Sequence, residues 1–90
     1  MRDIKLSEKM DLKYANELKA ELMSSLGMDV HLNGTQVSAV YATCCQLLVA
    51  AKVEWKEGGN SFSISPSEKM IGDLEMLGAK ELLIFEEDKS

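Results

Sequence analysis

The sequence predicts an α/β domain with a mainly parallel or mixed sheet of four strands and crossover helices. Three observations predict it. Segments with period-two apolar alternation and segments with helical spacing follow one another in the order βαβαβαβ, and glycines or a proline separate them. Ninety residues, 46% of them apolar, suffice for one modest core. Such alternation implies right-handed crossovers that lay helices on the sheet. Residues 1–85 read as a single domain and residues 86–90 as an acidic tail.

Each element has its own signal. A short strand lies around Ile4 to Leu6. Asp11 then serves as N-cap of a helix whose apolar positions Leu12, Ala15, Leu18, Leu22 and Leu26 recur at helical spacing until Gly27 ends it. The strand Asp29–Asn33 follows, with Val30 and Leu32 alternating, and a loop runs to Val40. A second helix extends from about Ala42 to Lys56 and stops at Gly58-Gly59. Its first turns are apolar on most sides, so it should be the most buried helix.

Further on, Phe62 and Ile64 alternate with Ser61, Ser63 and Ser65, which is the pattern of a strand with one wet face. Ser65-Pro66-Ser67-Glu68 reads as a capping box with Ser65 at the N-cap and Pro66 at the first helical position. Met70, Ile71, Leu74 and Leu77 carry that helix to Gly78, and Leu82-Leu83-Ile84-Phe85 reads as the closing strand.

Charge and targeting narrow the function classes. The net charge of −5 argues against nucleic acid, which is bound through clustered Lys and Arg, and favours a protein partner with a basic face. Charges interrupt every apolar pair in Met1-Arg2-Asp3-Ile4-Lys5-Leu6, so no secretory signal is expected and the chain should stay in the cytoplasm. The run Leu47-Leu48-Val49-Ala50-Ala51 falls far short of the ~20 residues a membrane span needs, so no direct insertion is expected. Cys44 and Cys45 are adjacent and point about 100° apart on a helix, which makes a mutual disulfide poor. They read as free thiols, with one of them facing the core.

Thr43 is the first candidate for chemistry. It places a hydroxyl at the start of the second helix, where unpaired N–H groups and the positive dipole end favour a phosphate. The alternative is that Thr43 merely caps or back-bonds to the helix. Cys44 reads as an inert thiol, His31 as a structural residue without a metal-ligand set, and Trp55 as closing the core edge or anchoring a partner. Tyr41 is a candidate interface residue. No nucleophile, base and orienting group occur together and no Gly-rich phosphate loop is present, so neither catalysis nor a cofactor or metal is expected.

The ordered set Val30, Leu32, Thr35, Val37, Val40 and Tyr41-Ala42-Thr43-Cys44-Cys45 resembles the STAS domains of bacterial anti-sigma factor antagonists. In those domains a strand of the form V-x-L-D leads into the phosphorylation motif Asp-Ser/Thr-Ser/Ala-Gly-Leu at a helix start. The resemblance covers nearly the whole chain, with Leu12 and Ala15 in the opening helix, Gly58-Gly59 at the turn and Leu74-Glu75-Met76-Leu77-Gly78 as the closing L-x-x-L-G. A narrower stretch, Cys44 to Ala51 with Trp55 and Gly58 to Ser67, is similar to small STAS proteins encoded with alphaproteobacterial chemotaxis components.

The resemblance implies a four-stranded STAS fold and a non-catalytic signalling role. It places Thr43 at the phosphoacceptor position, while Tyr41, Cys44 and Asn33 stand where phosphoswitch members carry Asp, Gly and Asp. The implied partner is an ATP-binding kinase of the GHKL type, either an anti-sigma factor or a chemotaxis histidine kinase, met through Ser38, Tyr41, Ala42, Thr43, Cys44 and Gln46. The alternative implied by short STAS subunits of lipid-transport systems is that the same surface braces an ABC ATPase.

Overall fold

The computed structural model describes residues 1–85. Its elements are β1 (Arg2–Lys5), β2 (Lys9–Met10), α1 (Leu12–Met23), β3 (Val30–Gly34), β4 (Ala39–Val40), α2 (Ala42–Glu57), β5 (Phe62–Pro66), α3 (Glu68–Met76) and a π-helical turn, Glu81–Phe85. The expected acidic tail lies outside the described residues.

The α/β class holds, but the strands are distributed differently from the expected four. β1, β3 and β5 form a three-stranded parallel sheet in that order, and β2 pairs with β4 in a separate parallel pair. Register puts Ile4, Leu32 and Ile64 in one row across the sheet and Asp3, His31 and Ser63 in the next. Because side chains alternate faces, the first row joins the core and the second lies on the polar face. Both crossovers step in the same direction, so a common right hand lays α1 and α2 on one face, where they pack against each other.

The core runs through that layer. Ile4, Val30 and Leu32 of the sheet meet Ala15, Leu18 and Leu22 of α1 and Cys44, Cys45, Leu48, Ala51 and Trp55 of α2. Asp11 caps α1 as expected, its Oδ1 accepting from the Tyr14 N–H at 3.0 Å. Leu12 and Leu26, expected on the apolar stripe, are exposed instead. Leu12 is the first residue of α1 and Leu26 lies beyond its last, so neither is held on the inward face.

Three local expectations are corrected. The N-cap of α3 is Ser67, whose Oγ accepts from the Met70 N–H at 3.0 Å, and not Ser65. The sheet register decides this: Ser65 and Pro66 pair with Asn33 and Gly34 as the end of β5, and the Ser67 N–H still bonds to the Gly34 carbonyl. Glu68 therefore opens the helix and no capping box forms.

The segment Leu82–Phe85 is part of a π-helical turn rather than a strand. Ala79 and Leu83 are buried while Leu82 is exposed, and the Leu83 N–H bonds to the Ala79 carbonyl at 3.1 Å, which is helical spacing. A four-residue apolar run carries no period that separates the two readings.

Finally, the stretch read as a loop up to Val40 contains β4. Ser38 and Ala39 N–H groups both donate to the Glu8 carbonyl, and the Tyr41 N–H donates to that of Met10. These bonds fix the angle at which the chain enters α2.

Candidate functional site

The site is built at the carboxyl end of the parallel strands, where β4 leads into α2. Tyr41 is the N-cap of α2 but supplies no side-chain cap, so Thr43 occupies the second helical position rather than the cap. The first turn of α2 therefore presents its N–H groups without a side-chain acceptor from its own cap. Tyr41, Ala42, Thr43 and Gln46 are exposed, and so is Ser38, whose hydroxyl donates to the Glu8 carbonyl at 3.1 Å.

Cys44, expected in the same surface set, points inward. It is fully buried, and its Sγ donates to the Asp11 carbonyl at 3.3 Å. Cys45 is buried as well, so both thiols face the core where one was expected. The reason is that both cysteines fall on the buried face of α2, together with Leu48, Ala51 and Trp55. Burial pushes the Cys44 thiol from its usual 9.0 up to about 11, with the Asp11 carboxylate adding to the effect. Burial also raises Cys45. Such thiols carry little thiolate near neutral pH and are poor nucleophiles.

A third element completes this edge. Asp73, on α3, accepts from the Val40 N–H through Oδ2 at 2.8 Å, just before α2 begins. This bond satisfies a backbone donor and sets a carboxylate near the positive end of the helix. Ala39, Val40, Tyr41, Asp73, Met76 and Leu77 line a groove of about 310 Å³. Three of its large side chains face solvent: Tyr41 is 56% exposed, Met76 87% and Leu77 41%. Apolar side chains clustered beside a charge are a feature of surfaces that meet other proteins.

Met76 and Leu77 were not legible as surface residues. Leu77 falls on the same helical spacing as Leu74, yet α3 ends at Met76 and Leu77 is its C-cap, so the spacing no longer directs it inward. The available signal was the Leu77-Gly78 pair, which marks a helix end.

The remaining candidates are structural. Trp55 is buried, donates from Nε1 to the Met28 carbonyl at 2.7 Å, and packs on Phe62 with ring centroids 5.7 Å apart. It pins the end of α2 to the segment before β3 and is not a surface anchor. His31 lies between two hydroxyls, with Nδ1 2.8 Å from Ser63 Oγ and Nε2 2.9 Å from Ser65 Oγ. In the neutral ring one serine accepts and the other donates, so both nitrogens are satisfied across β3 and β5. Among the described residues no group of three or more His, Cys, Asp or Glu side chains could hold a metal ion. Among them, too, no helix is long and apolar enough to cross a membrane.

Compared with known proteins, the chain matches no family model and no curated protein.

Proposed function

We propose that this chain is a non-catalytic, cytoplasmic signalling module of the STAS type that docks onto an ATP-binding regulatory kinase. The docking edge comprises Ser38, Tyr41, Ala42, Thr43 and Gln46, extended by Met76 and Leu77. One observation carries the proposal: Tyr41, Met76 and Leu77 are exposed together around a groove that adjoins the start of α2. Exposing large apolar side chains is unfavourable in water, and covering them with a partner recovers roughly 25 cal/mol per Å² of apolar surface removed from solvent.

The sequence resemblance supplies the partner class, an anti-sigma or chemotaxis kinase of the GHKL type, and the role of Thr43. Exposed at the second position of α2, the Thr43 hydroxyl is accessible to a kinase. A phosphoryl group there adds roughly two negative charges at the positive end of the helix, which changes the charge of the docking edge without requiring a change of fold.

The test captures partners from a lysate of the native host on immobilised protein, identifies them by mass spectrometry, and compares Thr43→Glu with Ser61→Glu. Ser61 is exposed just ahead of β5, toward the opposite edge of the sheet. A kinase retained by the parent chain and by Ser61→Glu but weakened by Thr43→Glu is the expected result. Capture of metabolic enzymes alone, or equal retention by both variants, overturns it, and capture of an ABC ATPase replaces the kinase reading with a transport one. Incubating the recovered kinase with ATP and the chain, then measuring intact mass, reads whether Thr43 takes a phosphoryl group.

A further inference from the structure

The groove beside Tyr41 has a chemical polarity that restricts what can fill it. Its walls are the apolar side chains of Val40, Tyr41, Met76 and Leu77, and the ionised group among its lining residues is the Asp73 carboxylate. One carboxylate oxygen is committed to the Val40 N–H. Among the described residues no Lys or Arg lines the groove, and the ion pair formed by Arg2 with Glu21 lies elsewhere, between β1 and α1. A partner that covers this groove with a purely apolar surface would strip water from a carboxylate that has no cation beside it in the groove, which is costly.

We propose that the segment docking here is cationic and apolar: an amphipathic partner helix that lays an apolar side chain between Tyr41 and Met76 and sets an arginine on the second oxygen of Asp73. This deepens the docking role proposed above and rests on it. Arginine suits the site better than lysine because its guanidinium is weakly hydrated, keeps its charge when partly buried and can stack on the exposed Tyr41 ring while it bonds to the carboxylate. The chain's net charge of −5 works in the same direction, drawing a basic segment toward the surface before contact is made.

Asp73 has two separable roles, as the acceptor for Val40 and as the anion for the partner. Asp73→Asn retains an amide oxygen that can accept from the Val40 N–H and removes only the charge. The probes are two capped amphipathic peptides of identical leucine pattern, one with arginines flanking the apolar stripe and one with the neutral isostere citrulline, titrated into ¹⁵N-labelled protein at low salt.

The arginine peptide is expected to shift the amides of Val40, Tyr41, Met76 and Leu77. It should bind about fivefold more tightly than the citrulline peptide, the size of a partly exposed ion pair; most of that preference should be lost in Asp73→Asn, and all of it at high salt. If both peptides shift these amides with equal affinity, the cationic partner is overturned while the docking edge stands. If neither shifts them, or shifts appear instead at Leu22, Met23 and Trp55 in the groove between α1 and α2, both readings fall.

Discussion

Replacing Gly34 by alanine tests how closely α3 is seated on the sheet. Gly34 ends β3, and its carbonyl accepts from the N–H groups of Val37 and Ser67, so it joins the strand to both the loop before β4 and the start of α3. A Cβ added there would lie 2.6 Å from Met70 Sδ, 3.2 Å from the Ser65 carbonyl oxygen and 3.3 Å from Leu6 Cδ1. The φ angle of Gly34 is not in the left-handed region, so the effect is one of space and not of backbone strain. Met70 and Leu6 are both buried and have little room to yield.

Overpacking of this kind costs about 1–3 kcal/mol, and alanine returns roughly 0.4–1 kcal/mol by restricting the unfolded chain. A net loss of about 1–2 kcal/mol is expected, which for a domain of this size lowers the melting temperature by roughly 4–16 °C. A double-mutant cycle with Met70→Ala isolates the cause, because removing the sulfur should erase most of the cost of Gly34→Ala, a favourable coupling of about 1 kcal/mol or more. Since α3 is the element displaced, the Val40 amide held by Asp73 should also exchange faster with solvent. Unchanged thermal stability in Gly34→Ala, or strictly additive costs in the cycle, would refute the close approach of α3 to the end of β3.

Two further outcomes follow from the caps and thiols. Ser67→Ala should cost about 0.5–2 kcal/mol in urea denaturation, because Ser67 Oγ caps α3 through the Met70 N–H and also donates to the Val37 carbonyl. Ser65→Ala removes only the hydroxyl beside His31, so an equal or larger loss there would return the cap to Ser65. For Cys44, the folded thiol is pushed up to about 11 from 9.0, so its share of stability is complete below pH ~9 and fades as pH rises toward ~11. At pH ~8 its thiolate fraction is about a hundredfold below that of an unfolded chain, and a thiol reagent should label native protein correspondingly slowly. Labelling of Cys44 at the rate of the urea-unfolded chain would show that the thiol is not held in the core.

Periodicity and caps act over a few residues, and these local signals were enough to determine the α/β class, the three helices and the approximate positions of β1, β3 and β5. The spacing of Ala15, Leu18 and Leu22 and the carboxylate of Asp11 suffice to place α1. The same local signals located Thr43 at the start of α2. What they could not decide depends on bonds between distant segments. Ser65 and Ser67 are equally good caps in isolation, and the pairing of β5 with β3 chooses between them. The short strand Ala39–Val40 forms by pairing with Lys9–Met10, and the groove lies where α3 brings Asp73 to the Val40 N–H, 33 residues away in sequence. The run Leu82 to Phe85 has strand-like composition, yet burial of Ala79 and Leu83 on one side makes it helical. Hydrophobic pattern fixes which faces are buried; the elements they are buried against, and so which apolar side chains stay exposed, are set by tertiary packing.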